Sequence, residues 1–102
     1  YFVLSFVGIK PPVELSGELE TSMTQKAQVI DFLKKANDHA RAAIRAVPDA
    51  DLDKPTQMFG RQTTYRNAYM TLVSHVHEHL GQLIAYARSN GVAPPWSAAG
   101  GQ

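Results

Sequence analysis

The stretch His75-Val76-His77-Glu78-His79-Leu80-Gly81-Gln82 contains three of the four histidines of this 102-residue chain. It lies in a segment whose apolar residues recur at helical spacing from about Tyr65 to Ser89, which predicts one long helix. His75 and His79 are four residues apart, so their imidazoles lie on the same face, one above the other. That spacing allows both to bind one metal ion. His77 lies about 160 to 200 degrees away around the helix and cannot join them.

Two interpretations of the pair are open. A single histidine on a half-buried face is more often hydrogen-bonded and without chemical function. The predicted inward stripe, however, contains both His75 and His79, between Leu72 and Leu83. Two adjacent imidazoles in a core are unfavourable unless a partner satisfies their nitrogens, and one divalent cation satisfies both. The spacing therefore makes a metal site the functional hypothesis.

Two histidines do not complete such a site, because catalytic zinc sites have three protein ligands and an open fourth position. Glu78 flanks the pair, and we expect it to act as a base or to support a ligand. Gln82 lies one turn beyond Glu78 and is expected to bond a ligand or a bound water. His39 lies in the other long predicted helix and is interpreted as a surface residue beside its apolar stripe.

The first half of the chain also predicts helices. Residues 1–7 are apolar except for Ser5 and precede Gly8 and two prolines, which favours the end of a helix, with a buried strand as the alternative. Residues 8–21 are expected to form a connection. Ser22-Met23-Thr24-Gln25 matches a capping box, so a second helix is predicted from Met23 to about Val47.

The second half predicts a long loop followed by the histidine helix. Residues 48–63 have no clear period, and Met58 and Phe59 are expected to anchor this loop in the core. Thr63 or Thr64 is expected to cap the last helix, which ends at Ser89-Asn90-Gly91. Trp96 is expected to pack back on the helix. The prediction is one helical domain over residues 1–97 and a flexible tail over residues 98–102.

The composition excludes some classes of function. A net charge of +1 and the absence of a basic stripe argue against a nucleic-acid or membrane partner. The chain has no cysteine, so no disulfide, thiolate ligand or cysteine nucleophile is expected. We expect a cytoplasmic homodimer that acts on a small molecule of unknown identity.

The spacing His75-x-x-x-His79-x-Gly81-Gln82, with the later Pro94-Pro95-Trp96-Ser97, resembles the C-terminal half of a DinB-like protein. That superfamily includes the YfiT-type metal-dependent hydrolases. The resemblance implies an all-α four-helix bundle with a long crossover connection. It also implies a divalent metal, zinc or nickel, held by three histidines, of which His75 and His79 are two. The third would lie in the helix that runs into Tyr1, where this sequence has none.

Two explanations of the missing ligand are open: the first helix and a half lie outside this sequence, which we favour, or the ligand is lost. Relatives of known activity imply thiol-dependent transferase or isomerase chemistry. Because the chain has no cysteine, the thiol would come from a low-molecular-weight cosubstrate. The alternative function is a non-catalytic helical binding or dimerisation module with structural histidines.

Overall fold

The computed structural model describes residues 1–98 and is mostly helical, with one small two-stranded sheet. Its elements are helices α1 (Phe2–Ser5), α2 (Leu19–Ser22) and α3 (Lys26–Ala46), a 3₁₀ turn (Asp49–Asp51), strands β1 (Pro55–Met58) and β2 (Arg61–Thr64), and helices α4 (Tyr65–Ser89) and α5 (Pro95–Ala98). The helical class is confirmed. Residues 99–102, most of the predicted flexible tail, lie outside the described residues.

The chain divides into two compact units, and the division falls inside α4, between Met70 and Thr71. Among the described residues, the buried core side chains of the first unit are Val3, Leu4, Val7, Met58 and Ala68, and in the second unit Pro94 is buried. Leu4 is only 1% exposed. In the part of the chain that the structure describes, no helix has both the length and the apolar character needed to cross a membrane.

The β-hairpin occupies most of the segment that was predicted to be a loop without regular structure, so that prediction is wrong for residues 55–63. β1 and β2 pair antiparallel, and a two-residue turn of Phe59 and Gly60 joins them. Both turn residues have positive φ, 52° and 74°, which matches the twist of a type I′ hairpin. Met58 is buried as predicted, whereas Phe59 is 67% exposed.

Helix α1 holds the hairpin in place. Gly8, at φ 77°, follows the helix as the sequence predicted. The Thr56 hydroxyl donates a hydrogen bond to the Phe6 carbonyl, which joins the hairpin to the end of α1. The ring of Phe59 lies 5.2 Å from that of Phe6 and 6.1 Å from that of Phe2, between ring centres. The exposed Phe59 therefore packs on aromatic rings rather than in the core.

Helix α3 begins at Lys26, three residues later than predicted, and its N-cap has no side-chain hydrogen bond. The capping-box prediction is wrong because the N–H groups of Ser22 and Met23 already bond to carbonyls of the short α2, at 2.8 and 3.2 Å. These residues therefore end one helix instead of starting the next. α3 contains no buried residue among those described.

Helix α4 has the predicted bounds. The Thr64 hydroxyl accepts the Asn67 N–H at 3.4 Å, in agreement with its expected capping role. After Ser89 the chain turns at Gly91, where φ is 75°, and the Val92 N–H donates to the Ala87 carbonyl at 2.9 Å. This is the glycine stop that the sequence predicted. Trp96 lines a cavity with Leu83 and Ile84 of α4, as expected of a tail that folds back on the helix, but its side chain is still 62% exposed.

Candidate metal centre

The histidine pair lies in the second unit, on α4, where helical geometry brings the two rings together. The ring centres of His75 and His79 are 4.4 Å apart and the ring planes are nearly perpendicular, at 85°. Their Nε2 atoms are 3.0 Å apart. Both side chains are exposed. The prediction that the pair lies on a half-buried stripe is therefore wrong, while the prediction that the imidazoles face each other agrees with the structure.

Gln82 supports one ring of the pair. Its Oε1 lies 3.3 Å from Nδ1 of His79. An amide oxygen only accepts, so Nδ1 of His79 is the donor in this contact, and in a neutral ring Nε2 of His79 is then the acceptor. Nε2 of His75 then donates to it across the 3.0 Å separation. Metal-binding histidines are oriented in the same way, by a hydrogen bond to the nitrogen that does not bind the metal.

The separation of the two Nε2 atoms tests whether the pair fits a cation. Two nitrogens that bind one tetrahedral zinc ion at about 2.05 Å are about 3.3 Å apart. The observed 3.0 Å needs only a small side-chain rotation to reach that value. The two Nε2 atoms are therefore spaced to occupy two coordination positions of one zinc ion. Among residues 1–98, however, no three His, Cys, Asp or Glu side chains are close enough together to bind a metal ion.

His77 and Glu78, the candidate residues next to the pair in sequence, form no hydrogen bond to His75 or His79 within the described residues. His77 is exposed, and its Nδ1 lies 2.8 Å from the Val73 carbonyl, one turn back on its own helix. It cannot reach the pair, as predicted. Glu78 is also exposed, and no hydrogen bond within the described residues joins it to either ring. Its predicted role therefore has no contact to support it.

His39 lies in the first unit and is not the surface residue that was predicted. It is half-buried, and its ring packs against Tyr1 with ring centres 5.4 Å apart. Within the described part of the chain, the buried Nε2 of His39 and hydroxyl of Tyr1 have no hydrogen-bond partner. Sequence reasoning missed this environment because α1 provides it from a distant part of the chain.

Sequence reasoning also missed a cavity of about 460 Å³ in the first unit. Its polar lining includes Asp51, Tyr65 and Tyr69. Burial raises the pKa of the Tyr69 hydroxyl, and the neighbouring Tyr65 and Asp51 raise it further. The hairpin separates Asp51 from the two tyrosines in sequence, so no local spacing pointed to the group. The alanines of α3 were the available signal, since small residues on one helix face leave space.

The chain belongs to the DinB superfamily: the sequence model of that superfamily matches residues 3–83, most of the chain. This confirms the resemblance derived from the histidine motif. Comparison with curated proteins and with solved structures gives no significant match.

Proposed function

We propose that this DinB-superfamily protein binds a divalent metal ion through Nε2 of His75 and Nε2 of His79. The observation that carries the proposal is the 3.0 Å approach of these two atoms. The contact of His79 with Gln82 supports it, because a hydrogen bond to the ring nitrogen that does not bind the metal is how metal-binding histidines are oriented. Zinc and nickel are the metals that suit neutral imidazole ligands.

The proposed activity is that of a metal-dependent transferase or hydrolase. When bound, a cation with an open coordination position would lower the pKa of a neighbouring water or thiol. Gln82 holds the Nδ1 proton of His79 and keeps its ring oriented. The Glu78 carboxylate, next to the pair on α4, is the proposed proton acceptor. A thiol would enter as a low-molecular-weight cosubstrate, because the chain contains no cysteine.

We further propose that the chain contributes to one domain, a four-helix bundle with a long crossover connection, and that it works as a cytoplasmic homodimer. Superfamily membership supports the bundle, as do the 21-residue α3 and the 25-residue α4, which are long enough for it. The substrate is a small molecule rather than a nucleic acid, since the net charge is only +1.

Titration of zinc and of nickel into the metal-free chain, followed by calorimetry, tests this function. We expect His75→Ala and His79→Ala each to remove most of the affinity. His77→Ala is the matched control, because His77 lies on the same helix and is exposed but faces away from the pair. If all three variants bind equally well, the pair is not the site. If none of the proteins, wild type included, binds either metal, the proposal fails.

A second candidate function is a non-catalytic binding or dimerisation module. The observation that favours it is the row of apolar side chains that α4 leaves 44–69% exposed: Val73, Val76, Leu80, Leu83 and Tyr86. Equilibrium sedimentation of the double variant His75→Gln/His79→Gln separates the two functions. Unchanged association without metal binding favours the module, and lost association favours the metal site.

A further inference from the structure

The cavity of the first unit has the size and lining of a small-molecule site. Its volume of about 460 Å³ lies in the usual range for ligand pockets, about 300 to 1,000 Å³. One wall comes from α3 and consists of Ala42, Ala43 and Ala46, with His39 one turn before them. An apolar wall opposite a few polar groups is the usual lining of such a pocket.

The polar groups come from two segments that are joined by a backbone hydrogen bond. Asp51 ends the 3₁₀ turn, and Tyr65 and Tyr69 lie in the first turns of α4. The Tyr65 N–H donates to the Lys54 carbonyl at 3.0 Å, which joins the start of α4 to the residues just after the 3₁₀ turn. The segments that carry the carboxylate and the two phenol rings are therefore joined through their backbones.

Asp51 places a carboxylate at this end of the cavity. The pKa of Tyr69 is raised, first by burial and then by Tyr65 and Asp51, so the charge of Asp51 acts on the Tyr69 hydroxyl. Lys54 partly neutralises Asp51 at 2.8 Å, but the Lys54 side chain is 55% exposed. Such exposed ion pairs contribute little to stability, so a cation bound inside the cavity can replace Lys54 as the partner of Asp51.

We propose that this cavity binds a small organic cation, with an ammonium group between Asp51 and the rings of Tyr65 and Tyr69. The carboxylate provides the opposite charge, and aromatic faces attract cations. The apolar body of the ligand lies against the alanine wall. The cavity shares no lining residue with the histidine pair, and the proposal does not depend on the function proposed above.

The ligand class is tested by calorimetric titration of the full chain with three compounds of similar shape: phenethylamine, phenethyl alcohol and phenylacetate. We expect the amine to bind at least about tenfold more tightly than the alcohol, a difference of about 1.4 kcal/mol. The anion should bind most weakly. Equal binding of amine and alcohol, or no binding of the amine at millimolar concentration, would overturn the proposal.

The position of the ammonium group is tested by charge variants. Asp51→Asn should abolish the preference for the amine. Asp49→Asn is the matched control, since it removes the same charge from the same turn but does not line the cavity. Lys54→Ala removes the competing cation and should tighten amine binding. Equal losses in the two aspartate variants would contradict the assignment to Asp51.

Two further measurements keep the proposal testable if Asp51→Asn fails to fold. Ala43→Leu fills the alanine wall and should prevent amine binding while the circular dichroism spectrum is retained. In the wild type, bound phenethylamine should lower the pKa of Tyr69. This pKa is measured by nuclear magnetic resonance of the Tyr69 ring carbons. Phenethyl alcohol should leave that pKa unchanged. An unchanged Tyr69 titration at saturating amine would place the ligand elsewhere.

Discussion

His75 and His79 place two donor nitrogens 3.0 Å apart although both rings are exposed. Their approach follows from backbone geometry alone, because residues four apart on a helix are neighbours. It needs no tertiary packing. This explains why spacing in the sequence predicted the pair correctly and predicted its burial wrongly, since burial depends on what packs against the helix.

Gln82 is expected to raise the metal affinity of the pair by orienting His79. Gln82→Ala removes the acceptor at 3.3 Å from Nδ1, so the ring is free to rotate and to change tautomer. We expect a loss of about 10- to 100-fold in zinc affinity, the usual effect of removing such a partner. Calorimetric titration measures it.

Glu78→Gln is the control for that variant. Glu78 lies on the same helix and forms no hydrogen bond to either histidine within the described residues. Its substitution should leave the zinc affinity within about twofold, well below the loss expected for an orienting partner. Equal losses for Gln82→Ala and Glu78→Gln would show that Gln82 has no specific orienting role.

The elements of the structure differ in how clearly the sequence encodes them. α4 was predicted with the right bounds because its apolar period, its threonine cap and its glycine stop all agree. The hairpin was missed because its strands are only four residues long and contain polar Thr and Gln side chains. Its turn also has Phe59 at a position with φ 52°, where Asn or Gly is usual.

Substitution by alanine should have opposite effects at Gly60 and Gly81. In both positions an added Cβ meets no atom within 4 Å, so only the backbone conformation matters. Gly60 has φ 74°, and alanine there should cost about 1 to 2 kcal/mol. Gly81 lies inside α4, and alanine there should stabilise by about 0.5 to 1 kcal/mol.

Thermal unfolding of the two variants measures these changes against the wild type. Because the substitution is the same in both, general effects of adding a methyl group cancel in the comparison. A Gly60→Ala protein as stable as Gly81→Ala would contradict the type I′ turn.

The whole molecule depends on a small core. Among the described residues, Leu4 is the one large side chain that is less than 2% exposed, and the apolar face of α3 is open to solvent. The helical class was predictable because periodicity reports it directly. The location of the core in α1, β1 and the start of α4 was not predictable, because it depends on contacts between residues far apart in sequence.

Leu4→Ala should destabilise the protein more than any other leucine-to-alanine substitution. Deleting a buried leucine side chain costs about 2 to 5 kcal/mol, through lost apolar burial and the cavity left behind. Leu15→Ala is the control, because Leu15 is 42% exposed and the same substitution there should cost much less. Urea unfolding of both variants measures the difference, and equal midpoints would contradict this location of the core.

The exposure of α4 has a consequence for how its histidines behave in solution. Its only buried residue among those described is Ala68, near its start, so the turn that contains the histidines has little tertiary support. Helices without such support are in equilibrium with coil. A ligand that bridges positions four apart binds only the helical form, so metal binding and helix content are coupled. Circular dichroism at about 222 nm measures helix content. The ellipticity at that wavelength should therefore become more negative as metal is added.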